Sequence, residues 1–246
     1  MKPITLLEIT KYVEENIQYF HQRRLESLQN LKLMDVIKRK NPYLFKAKAI
    51  NTAQDFVKHI LDARLSSQEE TIFGGFLEGL AVFICSHVYS GQKSSAEGID
   101  LEFERENIRY IVSIKSGPNW GNSSQISKLK DNFSKAKRIL RTNKSSVNVV
   151  AINGCCYGKN QEPDKGDNLK YCGQMFWEFI SGNPNLYTEI IEPLGHQART
   201  RNEQFKEEYE TVLNRFSYEF MTDFCNKDGK ILWEELIKFN SSNTQS

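Results

Sequence analysis

A mixed α/β fold (α+β), a central sheet flanked by helices, is predicted by three features of the sequence. Apolar residues recur at spacings of three and four from Leu6 to Leu33, which makes the N-terminal third helical. Residues 98–125, GIDLEFERENIRYIVSIKSGPNWGNSSQ, contain two stretches of strand character separated by Glu106-Asn107. The run Val147–Asn153, VNVVAIN, is continuous and apolar, as a strand buried on both faces requires.

Taken in order, Asn41-Pro42 breaks the first helical region, and a second helix spans about Thr52 to Arg64. Ser66 or Ser67 then begins a longer helix, with Glu69 and Glu70 in its first turn. Its buried positions are Phe73, Phe76, Leu77, Leu80, Phe83 and Ile84. Gly74, Gly75, Glu78, Ala81, Val82 and Cys85 share a face of mostly small side chains, which points Glu78 into a close contact. A Gly/Ser-rich loop, Gly91–Gly98, leads to strands at Ile99–Phe103 and Ile108–Ile114. With the turn at Glu106-Asn107, Asp100 faces Ser113 and Glu102 faces Ile111, and Lys115 lies on the same side. Tyr110, Val112 and Ile114 occupy the other, core-facing side. A helix starting among Ser123, Ser124 and Gln125 runs to about Leu140. After the central strand come a loop over Lys159–Asp167, a helix over Gln174–Ile180, a helical region from Ala198 to Cys225, and a polar tail from Asn240. The expected organisation is a helical N-terminal part over 1–64, an α/β core over 65–182, and C-terminal helices over 183–246.

Lys and Arg number 33 against 31 acids, so net charge does not announce a polyanionic partner, and the distribution decides. His21–Lys48 carries eight basic residues against two acids, and Lys128–Lys144 carries seven against Asp131 alone. Each run alone suits a solvated helix face, but two runs flanking an acid cluster point to a phosphate backbone. The five cysteines form no CxxC pair, and Cys155, Cys156 and Cys172 with His196 do not match common zinc spacings. Neither a signal peptide nor a membrane span is expected, and the default setting is a reducing cytoplasm.

Phosphodiester hydrolysis calls for a divalent cation held by carboxylates and for a cation near the developing phosphorane charge. Asp100, twelve residues, Ser113, one residue and Lys115 place that chemistry on one hairpin. Here the sequence resembles the PD-(D/E)xK nuclease superfamily. The longer string from Glu97 to Gln125, including SGPNWGNSSQ, resembles type II restriction endonucleases over most of the chain.

The resemblance implies a restriction-endonuclease-like core and Mg²⁺-dependent, sequence-specific cleavage of double-stranded DNA to 5′-phosphate and 3′-hydroxyl ends, with Mn²⁺ able to replace Mg²⁺. It further implies a homodimer and a cognate DNA methyltransferase that acts separately. Asp100 matches the motif's first acid and Lys115 its lysine, while Ser113 stands where the second acid belongs and Ile99 where proline is usual. Glu102, on the same strand face, and Glu78, on the preceding helix, are the candidates to complete the metal site. The loop and helix start supply Asn119, Trp120, Asn122, Ser123, Ser124 and Gln125 for base edges or phosphates, and Lys128 and Lys130 for the backbone. Trp120 equally suits a turn-rich connector whose tryptophan belongs to the core. Two alternatives share this core: a repair or junction-resolving nuclease, and a DNA-binding module that Ser113 has rendered inactive.

Overall fold

The computed structural model describes residues 3–143 and 148–243; Lys144 and Val147 lie outside them, as does the end of the expected tail. The N-terminal helices are α1 (Leu6–Gln29), α2 (Leu33–Ile37), α3 (Pro42–Ala47) and α4 (Ala53–Tyr89). Strands β1 (Leu101–Arg105) and β2 (Ile108–Lys115), helix α5 (Ser123–Asn143), and strands β3 (Asn148–Cys155) and β4 (Leu169–Cys172) follow. Helices α6 (Gln174–Ser181), α7 (Leu186–Glu189), α8 (Ile191–Leu194), α9 (Ala198–Phe224) and α10 (Trp233–Ser241) complete the order. The chain divides into two compact units: residues through Gln18 with Phe73–His196, and Tyr19–Ile72 with residues from Gln197 onward.

The first unit is built on a mixed sheet of order β1-β2-β3-β4, in which β1 and β2 are antiparallel and the other pairs parallel. Its hairpin turns through Glu106 and Asn107 with φ of 53° and 62°, a two-residue turn whose positive φ values match the twist of the strands. The register pairs Glu102 with Ile111, as the alternation of the sequence requires. Helix α5 crosses from β2 to β3 and lays Leu129, Phe133 and Ala136 on Ile111, Val149 and Ala151. On the opposite face Phe103 and Tyr110 stack, with ring centroids 5.1 Å apart, and Phe179 of α6 meets Tyr110 edge-on at 5.0 Å. Strand β2 is therefore covered on both sides, and Ile111 and Ser113 are fully buried. The face expected to be polar is polar at both ends, around Asp100 and Lys115 and around the Glu102–Arg109–Glu104 ion pairs, and is closed by Ile111 and Ser113 between them. Phe133→Ala should cost about 3–5 kcal/mol through transfer and cavity terms, checked by chemical denaturation.

The second unit closes around Phe56 and Phe220, stacked at 4.7 Å, with Phe45, Phe224, Val212 and Leu236 about them. The whole of the first basic run lies here, and part of it is structural. Arg24 pairs with Glu69 and sets its guanidinium 3.5 Å from the Phe205 ring centroid.

Several elements differ from expectation. The break near residue 65 is absent, and α4 is one helix of 37 residues. Ser66 and Ser67 lie inside it, and Thr71 donates its hydroxyl to the Ser67 carbonyl. An apolar window within α4 has the length and mean hydropathy of a membrane span. The same pattern suits a core helix, and Ile60, Leu61, Leu80 and Ile84 are buried. Strand β4 occupies a stretch given no element, because four residues hydrogen-bonded to β3 carry too short a pattern to read. Helix α10 takes in Asn240, whose side-chain amide donates to the carbonyls of Ile37 and Lys40, so the tail begins later than expected.

Candidate active site

Asp100 enters the sheet by donating its backbone amide to the Val112 carbonyl at 2.8 Å. Its carboxylate turns across the end of β2, where Oδ2 accepts from the Ile114 amide at 2.6 Å and the Ser113 hydroxyl at 3.4 Å. Lys115 Nζ stands 3.9 Å from the same oxygen. Two strands thus bring an acid, a hydroxyl and an ammonium to one corner, and both charged side chains keep a partial opening to solvent, 21% and 28% exposed.

Helix α4 brings Glu78 to this corner. Partial burial and then the charge of Asp100 push the Glu78 carboxyl above the usual range, while Lys93 and Lys115 pull the other way. Lys93 pairs with Glu78 at 3.7 Å. At Gly74 the small-residue face comes near the chain just beyond Lys115, but a Cβ there would lie 3.5 Å from the Ser116 side chain, an ordinary contact, so the close approach expected of this face is not required at Gly74. Gly75 meets nothing and is exposed.

Glu102 is held elsewhere. Its carboxylate pairs with Arg109 at 2.8 Å and accepts from the Ser94 hydroxyl, and its side chain is 12% exposed. Arg109 also pairs with Glu104 at 2.8 Å. Glu102 thus faces the 380 Å³ cavity that Gln92, Lys93 and Ala136 also line, with its charge already matched.

Mg²⁺ is typically bound through one or two carboxylates plus substrate oxygens and waters. Glu78 and Asp100 fit that donor set: they are two hard oxygen donors near enough for the charge of Asp100 to raise the Glu78 carboxyl, a repulsion that a bound cation would relieve. Among the described residues no three His, Cys, Asp or Glu side chains gather to hold an ion, so the site offers this pair and no larger cage.

The loop after Lys115 is tightly held. A Cβ at Gly117 would meet the Tyr157 ring at 2.3 Å, and one at Gly158, where φ is 94°, would meet Pro118 at 2.6 Å. Lys170 Nζ donates to the Pro118 carbonyl at 2.8 Å. Trp120 is half-buried against the core cluster that includes Ile99, Leu129 and Phe133 and faces the Lys115 ammonium, 5.3 Å from its ring centroid. Asn122 caps α5: its Oδ1 accepts from the Gln125 amide at 3.0 Å and the Ser124 hydroxyl at 2.8 Å, and the Gln125 side chain accepts from the Asn122 amide at 2.9 Å. Asn119 and Ser123 are exposed. Lys128 pairs with Glu97 at 3.2 Å and Lys130 with Asp167 at 3.0 Å, while Lys135 and Arg138 are exposed on the outer face of α5.

The structure thus gathers Asp100, Ser113, Lys115, Glu78 and Trp120, and leaves Glu102 in its own ion-pair network. Lys93, Arg109, Tyr157 and Lys170 were not singled out in the sequence. Of these, Arg109 alone was signalled: the hairpin register sets it opposite Glu104 and diagonal to Glu102. The neighbouring thiols are poor nucleophiles, since burial, first, and then Cys172 push Cys155 up to about 12.

The family model for type II restriction endonuclease EcoO109I matches residues 7–202. The chain belongs to that family. The match takes in the whole corner formed by Glu78, Asp100 and Lys115. No curated protein matches this restriction endonuclease chain. DNA is the substrate that the family implies, and cleavage the activity.

Proposed function

We propose that this restriction endonuclease makes sequence-specific double-strand cuts in DNA by Mg²⁺-dependent hydrolysis, leaving 5′-phosphate and 3′-hydroxyl ends, through a PD-(D/E)xK-type site. The observation that carries this reading is the meeting of Asp100 and Lys115 at the end of β2, with Glu78 beside them. Ser113, at the place of the motif's second acid, is fully buried and donates to Asp100, so it orients that carboxylate and is not a ligand. Glu78 takes over the second carboxylate's part, and Glu102 does not, because Arg109 holds it.

A divalent cation held by Asp100 and Glu78 would lower the pKa of a bound water and offset charge on the phosphate. Asp100 fixes the position of Lys115 by their ion pair, and Lys115 presents its ammonium to the charge that develops on the phosphorane. The Ile114 amide donates to Asp100 Oδ2 and so keeps that carboxylate aimed.

The exposed side chains Asn119 and Ser123, with Lys128, Lys135 and Arg138 along α5, form the surface that suits DNA. Asn122, Ser124 and Gln125 serve first as the helix cap, which leaves the capped N-terminus of α5 to face a phosphate. Lys135→Ala and Arg138→Ala should each reduce the slope of log K against log salt by about 1, measured by gel shift across a salt series.

A palindromic site cut on both strands suits a homodimer, and host protection suits a methyltransferase working separately in the same reducing cytoplasm. Digestion of long unmethylated duplex DNA tests the proposal. Discrete, reproducible fragments are expected. A preference for branched or damaged DNA, without discrete fragments, would favour a repair or junction-resolving nuclease instead.

A further inference from the structure

Trp120 stands in a loop suited to DNA contacts, yet its surroundings give it a different task. The indole packs against the buried cluster that includes Ile99, Leu129 and Phe133, and it faces the Lys115 ammonium at 5.3 Å from the ring centroid. Asp100 Oδ2 stands 3.9 Å from the same ammonium. The loop around the indole is pinned at both ends. Lys170 holds the Pro118 carbonyl, Tyr157 covers Gly117, and the Asn122-Gln125 cap fixes the residues that follow. A lysine stem is flexible, and an aromatic face paired with a carboxylate restricts where its charge can sit. An indole committed in this way is half-buried and poorly placed to wedge between bases, whereas Tyr157, 55% exposed beside Gly117, is open to solvent.

We propose that Trp120 is a positioning residue for Lys115, acting through its ring face on the ammonium and not through DNA. This rests on the nuclease reading above, in which Lys115 is catalytic. Trp120→Leu keeps apolar volume against the core but removes the ring face; Trp120→Phe keeps a ring.

The experiment compares wild type, Trp120→Leu, Trp120→Phe and Lys115→Ala for single-turnover cleavage of one mapped duplex with saturating enzyme in Mg²⁺, and for binding of that duplex in EDTA. The loss of a partly desolvated cation–π contact predicts that Trp120→Leu slows the cleavage step about 3- to 30-fold. Its duplex affinity should stay within about two-fold of wild type, and Trp120→Phe should restore most of the rate. Three results would overturn the inference alone, with the nuclease reading intact. These are an unchanged rate with weakened binding, which marks a base-stacking residue; equal slowing in Trp120→Leu and Trp120→Phe, which marks packing; or an unchanged rate and affinity. No cleavage by the wild type would overturn the nuclease reading, and the positioning role with it.

Discussion

Lys115→Ala is expected to lower metal-dependent DNA cleavage by about 10²- to 10³-fold while leaving the fold intact, because it removes a preorganised charge from the reacting phosphate. The side chain is 28% exposed and its ion pair with Asp100 is 3.9 Å long, so little stability is lost with it. Asp100→Ala should abolish cleavage more completely. Asp100 Oδ2 gathers the Ile114 amide, the Ser113 hydroxyl and the Lys115 ammonium, so its loss disorders the whole corner as well as removing a proposed metal ligand. Single-turnover rates on one duplex, with melting curves of each variant, separate the two effects. Full activity in either variant would exclude the proposed site.

The second large effect distinguishes Glu78 from Glu102. Glu78→Gln should cost about 10²-fold or more in rate, the loss of one carboxylate from a two-carboxylate site. Glu102→Gln should leave the rate near wild type and lower stability by about 1.5–3 kcal/mol, since Arg109 loses a buried charged partner and keeps only Glu104. The pH dependence of the wild type follows from the same environment. Because burial and Asp100 raise the Glu78 pKa, the carboxyl takes up its proton at a higher pH than an ordinary glutamate. Cleavage should therefore rise with pH over a range lying above that of an unperturbed glutamate. A rate that Glu102→Gln abolishes and Glu78→Gln spares would reverse the assignment.

The hairpin was legible because its period-2 alternation and its two-residue turn agree: the register that pairs Glu102 with Ile111 also puts Asp100 and Lys115 on one side. The α5 boundary was legible for the same reason, as Asn122 and Gln125 form a cap at the point where helical periodicity begins. Helix α4 was read as two because Ser66-Ser67 followed by Glu69-Glu70 has the composition of a helix start, and only tertiary packing decides that the chain continues. Strand β4 lies beside a Pro/Asp/Gly-rich loop and owes its form to pairing with β3, a contact that no local pattern records. In the site, the fate of Glu102 hung on Arg109, whose diagonal position follows from the register but whose choice of partner does not. The same holds for Trp120, where sequence shows an aromatic in a polar loop and packing shows which charge it faces.

The central claim is that the corner of Asp100, Lys115 and Glu78 cuts DNA with a divalent cation. Digestion of unmethylated phage DNA by wild type and Lys115→Ala, each in Mg²⁺ and in EDTA, tests it most directly. Discrete fragments from the wild type in Mg²⁺ alone, absent with the variant and absent in EDTA, are the predicted result. Intact DNA in every buffer, despite a salt-sensitive gel shift, would contradict it and leave a protein in which the serine at 113 has cost catalysis.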